Sequence, residues 1–178
     1  VVENDMMELT PYAHATETGK ARPLLIAPPW INKFYIMDLR EKNSMIRWLT
    51  QQGFTVFLIS WVNPGPELKD KTFEDYMHEG LFAALHAIEA ATGETSVNAV
   101  GYCVAGTLLS SAMAWLEAEG QSERIASATF FAAQSDFEKA GDLLIFIDDV
   151  WLKEIERIMD SQGGVLDGRS MADTFNLL

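Results

Sequence analysis

Four short apolar runs, separated by segments with helical periodicity, constrain the fold of this chain most strongly. The runs cover residues 23–27, 55–60, 97–100 and 125–133. Apolar runs of this length are typical of strands that are buried on both faces. Strands that alternate with helices over short links form a parallel sheet with helices on both sides. The pattern therefore predicts an α/β protein.

Three helices are predicted between the runs. The first begins at Ser44, the second covers residues 72–92, and the third covers residues 104–119. A glycine follows each helix, as expected where a chain leaves a helix in the left-handed conformation. The predicted buried face of the second helix consists of the apolar residues at helical spacing, namely Phe73, Met77, Leu81, Ala84 and Ile88.

The regions on either side of the four runs have a different character. Residues 1–22 are polar and mixed, and we predict an irregular or edge segment there. Residues 23–136 form the predicted core. An acidic, aromatic-rich stretch then precedes a predicted helix around 151–159, and we interpret residues 137–178 as the start of a cap. The chain does not begin with Met and stops where a helical pattern starts, so we expect it to be part of a longer protein.

Composition argues against several classes of function. The 13 basic and 26 acidic residues give a net charge of −13, which repels phosphate backbones and predicts that nucleic acid is not a partner. No apolar run is long enough to span a membrane, and the first residues lack the layout of a signal peptide, so we expect a cytoplasmic protein. With one cysteine, the chain has neither an internal disulfide nor a Cys-based zinc site.

That cysteine, Cys103, lies at the predicted corner between the third strand and the third helix. A residue at such a corner stands above the sheet beside the positive end of a helix, as in the nucleophile elbow of α/β-hydrolases. The small residues Gly101, Ala105 and Gly106 suit the crowded backbone there. The N–H of Val104 would point at the oxyanion of an attacked carbonyl group. Cys103 is therefore the predicted nucleophile, and the alternative is a buried small residue at a tight turn.

A second oxyanion donor is expected from the loop that follows the first strand, residues 28–32. The N–H of Trp30 is the first candidate and that of Asn32 is the second. Trp30 and Trp61 each follow a strand end, so they are also candidates to line a pocket for an acyl chain. The alternative for both tryptophans is ordinary packing.

Four motifs together resemble the catalytic domain of polyhydroxyalkanoate synthases. They are PPWINKFYIMDL at 28–39, SWVNP at 60–64, KTFEDY at 71–76 and GYCVAG at 101–106. The resemblance covers the whole chain and implies a partial α/β-hydrolase fold, with a mostly parallel sheet flanked by helices. Where the family usually has a Gly, this chain has Ala105, which adds one methyl group.

The resemblance also implies an activity and partners. It implies an acyltransferase that polymerises (R)-3-hydroxyacyl-CoA into polyester, releases CoA and carries the growing chain as a thioester on Cys103. CoA is then part of the substrate, and no separate cofactor is implied. A homodimer of the full-length protein and association with the surface of a polyester granule are further implications. Lys33 and Arg40 are candidates to contact the CoA phosphates, although ordinary surface charge is the favoured interpretation.

The family completes its site with an Asp and a His downstream of the nucleophile, and this sequence ends before them. We therefore expect this segment alone to be inactive, because a His must accept the thiol proton. The three histidines, His14, His78 and His86, all precede Cys103, and none has the position of a base. Asp136 is a disfavoured candidate for the acid, and a turn hydrogen bond is the better interpretation.

No metal site is predicted. The acidic side chains near the end of the chain fit no calcium loop, and we expect a solvated face consisting of Asp148, Asp149, Glu154, Glu156 and Asp160.

Two other functions remain open from the sequence. A Cys-dependent hydrolase or thioesterase would share the corner at Cys103 but transfer the acyl group to water. A non-catalytic module that binds granules would use the apolar run at 143–147, with an incidental thiol.

Overall fold

The computed structural model of the protein describes residues 2–31, 33–141, 144, 148–166 and 168. Within these residues, six strands form one sheet in the order β1-β2-β4-β3-β5-β6. Strands β3, β4, β5 and β6 are parallel, whereas β2 is antiparallel to both β1 and β4. The strands are β1 Val2–Glu3, β2 Met7–Tyr12, β3 Leu24–Ala27, β4 Val56–Trp61, β5 Val97–Tyr102 and β6 Ile125–Phe131.

Helices connect the parallel strands in the predicted order. Ser44 caps the first of them by accepting a hydrogen bond from the N–H of Arg47. The α-helices are α1 Met45–Gln51, α2 Phe73–Asp75, α3 Ala83–Thr92, α4 Val104–Ala118 and α5 Asp149–Ser161, and a π-helical segment, Tyr76–Phe82, joins α2 to α3. The 3-10 helices are Phe34–Met37, Glu41–Asn43, Pro66–Leu68 and Ser122–Arg124. The predicted alternation and the mostly parallel sheet are confirmed.

The prediction of an irregular or edge segment over residues 1–22 is wrong for β2. This strand pairs with β4 along its whole length, from Met7 opposite Trp61 to Tyr12 opposite Val56. Met7 and Leu9 alternate with polar residues and are buried, so the period of two that defines a half-buried strand was present in the sequence. Pro11 argued against a strand in the sequence, because a proline has no N–H to donate to the hydrogen bonds of a sheet.

The core has two parts, one on each face of the sheet. In β3, Leu25 and Ala27 belong to the part that also contains residues of α3 and α4. Leu24 and Ile26 belong to the part that also contains residues of α1. Alternate residues of this strand therefore bury both faces, which explains why the run is continuously apolar.

The predicted buried face of the second helix is correct for four of its five residues. Met77, Leu81, Ala84 and Ile88 are buried, but the side chain of Phe73 is 44% exposed. The helix is also not uniform, because its middle is the π-helical segment. A π turn is wider than an α turn, so residues before it no longer follow the spacing that places the later ones in the core.

The chain divides into two compact units. The first combines the residues up to Val62 with Phe73–Ser135 and contains the whole sheet. The second combines Asn63–Thr72 with the part that begins at Asp136, and it contains α5. No helix among the described residues is long and apolar enough to cross a membrane. The interpretation of residues 137–178 as a cap stays a prediction.

Candidate active site

Cys103 is the single residue between the end of β5 and the start of α4. Its backbone has φ 55° and ψ −126°, a conformation that residues with a side chain rarely adopt. Its N–H donates to the carbonyl oxygen of Phe131 on β6 at 2.8 Å, and the residue is half-buried. The sheet and the helix together thus hold the thiol-bearing residue at the corner that the sequence predicted, and its backbone is strained there.

Two glycines permit the sharp turn. A Cβ atom on Gly101 would lie 2.6 Å from the Cα of Gly106, and one on Gly106 would lie 2.3 Å from the Cβ of Ala133. Neither position can accept a side chain without a shift of the backbone or of its neighbours. Ala105 is fully buried, and the glycine that faces Gly101 most closely is Gly106. The close approach to Gly101 thus involves Gly106 and the carbonyl oxygen of Ala105 and not the Ala105 methyl group.

The first turn of α4 presents backbone donors next to Cys103. The carbonyl oxygen of Cys103 accepts hydrogen bonds from the N–H groups of Gly106 and Thr107, at 2.8 and 3.3 Å. Val104 is the first residue of the helix, so its N–H has no acceptor within the helix. An N–H in this position, supported by the helix dipole, can stabilise negative charge that develops beside the thiol.

Aromatic side chains cluster at the same edge of the sheet as Cys103. Strand β3 lies between β4 and β5, and all three are parallel, so their carboxyl ends share one edge. Trp30 follows β3 and Trp61 ends β4, with their ring centroids 5.7 Å apart. Tyr76 lies 4.5 Å from the Trp30 ring at an interplanar angle of 30°, and Phe73 lies 6.3 Å from it. We call these four residues the aromatic cluster.

Two members of the aromatic cluster were not predicted from the sequence to lie at the candidate site. Tyr76 and Phe73 lie near the start of the helix that follows β4, and burial raises the pKa of the Tyr76 hydroxyl. Their spacing of three residues places them on one side of a helix. The KTFEDY motif contains both residues, but the sequence pattern assigned Phe73 to the buried face of the helix and indicated no role for Tyr76.

The loop after β6 is attached to α4. The Thr107 hydroxyl donates to the carbonyl oxygen of Gln134 at 2.7 Å, and Ala132 has a positive φ of 45°. The sequence suggested no role for these residues, because their pairing depends on tertiary contacts. They fix the segment that packs against Gly106 through Ala133.

None of the three histidines lies near Cys103. His14 follows β2, whose last residue pairs with Val56 at the amino end of β4, so His14 lies toward the opposite edge of the sheet. His86 contacts Arg124, which precedes β6 at that opposite edge.

His78 is also distant from the thiol. Its ring contacts Trp115, which is twelve residues from Cys103 along α4, or ~18 Å at the rise of an α-helix. The His78 ring also contacts Glu74 and Phe82 on its own helical stretch. His78 and His86 are both exposed, so the predicted solvated face is confirmed for them.

Comparison with known proteins identifies relatives over the full chain. The family model described as "Poly-beta-hydroxybutyrate polymerase (PhaC) N-terminus" matches residues 1–49. Over 178 residues, the chain is 53% identical to the poly(3-hydroxyalkanoate) polymerase of Methylorubrum extorquens and 51% identical to the corresponding PhaC subunit of Rhizobium meliloti. The chain is a homologue of the poly(3-hydroxyalkanoate) polymerases. It covers 29% of the length of each of these two relatives.

A more distant polymerase and two solved structures extend the comparison. The PhaC subunit of Cupriavidus necator is 36% identical over 182 residues, which are all of this chain and 31% of that protein. A carboxylesterase of Nitrososphaera gargenis matches with a TM-score of 0.54 at 15% identity, over 88% of this chain and 50% of the other. A Mycobacterium tuberculosis protein matches with a TM-score of 0.59 at 13% identity, over 94% and 52%. The structural matches confirm the α/β-hydrolase fold.

The other residues singled out from the sequence are exposed or lie outside the described residues. Lys33 and Arg40 are exposed, in the segment after β3. Asp136 is exposed and accepts a hydrogen bond from the N–H of Glu138 at 2.9 Å, which supports the turn interpretation. Asn32 lies outside the described residues, as does the apolar run at 143–147 except for Leu144, which is exposed.

The acidic residues near the end of the chain belong to α5. Asp148 caps this helix by accepting hydrogen bonds from the N–H groups of Val150 and Trp151, at 2.9 and 2.8 Å. Glu154 forms two hydrogen bonds with Arg157, which lower the pKa of its carboxyl group. In the part of the chain that the structure describes, no three His, Cys, Asp or Glu side chains are grouped so that they could hold a metal ion.

Proposed function

We propose that Cys103 is the nucleophile of a polyhydroxyalkanoate polymerase and carries the growing polyester as a thioester. The thiolate attacks the carbonyl carbon of (R)-3-hydroxyacyl-CoA, the bond from that carbon to the CoA sulfur breaks, and CoA leaves as a thiol after taking up a proton. The 3-hydroxyl group of a further acyl group then attacks an acyl thioester, which forms the ester bond and frees a thiol. The observation that carries the proposal is the strained backbone of Cys103 between Gly101 and Gly106.

Two backbone donors are proposed to stabilise the oxyanion formed in each attack. The N–H of Val104 is at the amino end of α4, where the helix dipole adds to its effect. The second donor is the N–H of Trp30, in the turn that follows β3, the strand next to β5. A donor directed at the developing charge is worth about 10²–10³ in turnover in comparable enzymes, so the arrangement matters for rate.

The proton of the thiol requires a base that His14, His78 and His86 do not supply from their positions. We therefore propose that an Asp and a His outside these 178 residues complete the site, and that the segment alone has no turnover. The supporting observations are the location of His14 and His86 toward the opposite edge of the sheet and the contact of His78 with Trp115, which is twelve residues from Cys103 along α4. Asp136 stays a disfavoured candidate for the acid.

CoA enters this proposal as part of the substrate, without a separate cofactor. Lys33 and Arg40 are exposed and are the candidates to contact its phosphates, with ordinary surface charge as the favoured alternative. A homodimer, the granule surface as a partner and a cytoplasmic location stay predictions.

The decisive experiment incubates the full-length protein with radiolabelled (R)-3-hydroxybutyryl-CoA and separates polymer from free acid. The proposal predicts labelled polymer and stoichiometric release of CoA. Free 3-hydroxybutyrate without polymer would instead identify a Cys-dependent hydrolase or thioesterase. Turnover that survives in Cys103→Ala would contradict a covalent role of this residue, and Cys103→Ser is expected to be severely impaired because a hydroxyl is the weaker nucleophile.

A further inference from the structure

The indole of Trp61 forms a hydrogen bond with the loop that carries the proposed second oxyanion donor. Its Nε1–H donates to the carbonyl oxygen of Pro28 at 2.6 Å, across 33 positions of sequence. Pro28 lies two residues before Trp30, and both Pro28 and Pro29 are buried. A short, partly buried hydrogen bond thus connects the last residue of β4 to the loop after β3.

The two prolines make this hydrogen bond unusually important for the loop. Their rings fix φ near −65° at both positions, and neither has an N–H that could anchor the backbone. The loop can therefore turn mainly about ψ of Pro28, ψ of Pro29 and φ of Trp30. The hydrogen bond from Trp61 holds the Pro28 carbonyl group and so restricts the first of these angles. The orientation of the Trp30 N–H relative to Pro28 depends on the two ψ angles, because this N–H lies in the plane of the peptide between Pro29 and Trp30.

The indole of Trp61 packs closely against Gly80. A Cβ atom on Gly80 would lie 2.4 Å from Cζ3 and 2.5 Å from Cη2 of Trp61. The indole therefore occupies the space that a side chain at position 80 would need. Gly80 is buried in the π-helical segment. The Tyr76 ring, at the start of the same segment, lies 5.3 Å from the Trp61 ring and 4.5 Å from the Trp30 ring. One stretch of the π-helical segment thus contacts both Trp61 and Trp30.

We propose that Trp61 is a positioning residue, which orients the Trp30 N–H toward the oxyanion through its hydrogen bond to Pro28. This inference rests on the proposed function, because it assigns Trp61 a role in the acylation of Cys103. Gly80 supports that role by leaving room for the indole. Trp61 itself contacts neither substrate nor thiol in this account.

The test compares two reactions of the same thiol in the full-length protein. In acylation by (R)-3-hydroxybutyryl-CoA, the attacked carbonyl oxygen becomes an oxyanion and CoA leaves. In alkylation by iodoacetamide, the sulfur displaces iodide from carbon and no oxyanion forms. Both reactions require the same thiolate, but only acylation uses the oxyanion donors. Peptide mass spectrometry at Cys103 after rapid quenching measures both rates.

Two variants disturb the contact in different ways, and a third is the control. Trp61→Phe keeps an aromatic ring and removes the N–H, whereas Gly80→Ala keeps the N–H and displaces the indole. Trp48→Phe makes the same change as the first variant at an exposed tryptophan on α1. We expect Trp61→Phe and Gly80→Ala to slow acylation about tenfold, which is less than the effect of losing an oxyanion donor entirely. The rate of alkylation should stay within about twofold of that of the unmodified protein. Trp48→Phe should change neither rate more than about twofold.

Each other outcome overturns the inference. A parallel loss of acylation and alkylation in Trp61→Phe and Gly80→Ala would show that Trp61 supports the fold around the thiol and not the oxyanion donor. Unchanged acylation in both variants would show that the hydrogen bond to Pro28 has no kinetic role. A wild-type protein that is alkylated but never acylated at Cys103 would refute the proposed function itself, and the role of Trp61 with it.

Discussion

Replacement of Cys103 by glycine should make the protein more stable than replacement by alanine. Cys103 has φ 55° and ψ −126°, and alanine must keep that conformation if β5 and α4 stay in place. Glycine adopts positive φ without a steric penalty. The comparison with alanine isolates the backbone, because both variants remove the thiol.

The size of the difference follows from two opposing effects. A residue with a side chain in a sparsely populated region costs about 1–3 kcal/mol, and glycine removes that cost. Glycine also loses more conformational entropy on folding, which costs roughly 0.5–1 kcal/mol. The midpoint of these ranges leaves Cys103→Gly more stable than Cys103→Ala by about 1 kcal/mol. With a urea dependence of roughly 2 kcal/mol per molar, the unfolding midpoint should differ by about 0.5 M.

Urea unfolding followed by tryptophan fluorescence measures this difference. The matched control compares Ser111→Gly with Ser111→Ala at an exposed position within α4. There the glycine variant should be less stable than the alanine variant by about 1 kcal/mol. The sign of the glycine effect should therefore reverse between the two positions. A Cys103→Gly variant that is no more stable than Cys103→Ala would refute the claim that this corner is strained.

Three further predictions concern packing and ionisation. Gly101→Ala should destabilise the fold by about 1–3 kcal/mol in urea unfolding, because its Cβ would meet the Gly106 backbone; an unchanged midpoint would contradict the close approach. In an NMR titration, Arg157→Ala should raise the pKa of Glu154, whose lowered value makes the pair stabilise α5 above the ordinary Glu pKa and lose that effect as pH falls through the lowered pKa. Burial raises the pKa of Tyr76, so the folded protein keeps this proton longer than the unfolded chain and loses stability as pH rises past the ordinary Tyr pKa. The difference in tyrosinate absorbance between the protein and Tyr76→Phe should therefore titrate above the ordinary Tyr pKa, and a difference that titrates at the ordinary value would contradict the burial of this hydroxyl.

The sequence predicted the parts of the fold that depend on local pattern. The continuous apolar runs at β3 and β4 indicated buried parallel strands, and Gly101 and Gly106 beside Cys103 indicated a tight corner. Both features depend on residues that are close together in the sequence. Hydrophobic periodicity indicates the strands, and small neighbouring side chains indicate the corner. The central sheet and the location of the candidate nucleophile were therefore predictable.

The parts that depend on distant contacts were not predictable in the same way. Met7 and Leu9 form a buried strand only because β4 offers a partner, and Pro11 concealed their alternation. The π-helical segment leaves Phe73 exposed although its spacing fits the buried face. The hydrogen bond from Trp61 to Pro28 joins residues 33 positions apart, and no periodicity reports such a pair.

The most direct test of the central claim is to trap the acyl group during turnover. Full-length protein is mixed with (R)-3-hydroxybutyryl-CoA, quenched with acid and digested, and the peptides are mapped by mass spectrometry. We expect a hydroxybutyryl thioester, or a short oligomer of it, on the peptide that contains Cys103, and none in Cys103→Ala. An acyl group on another residue, or polymer formed by Cys103→Ala, would contradict it.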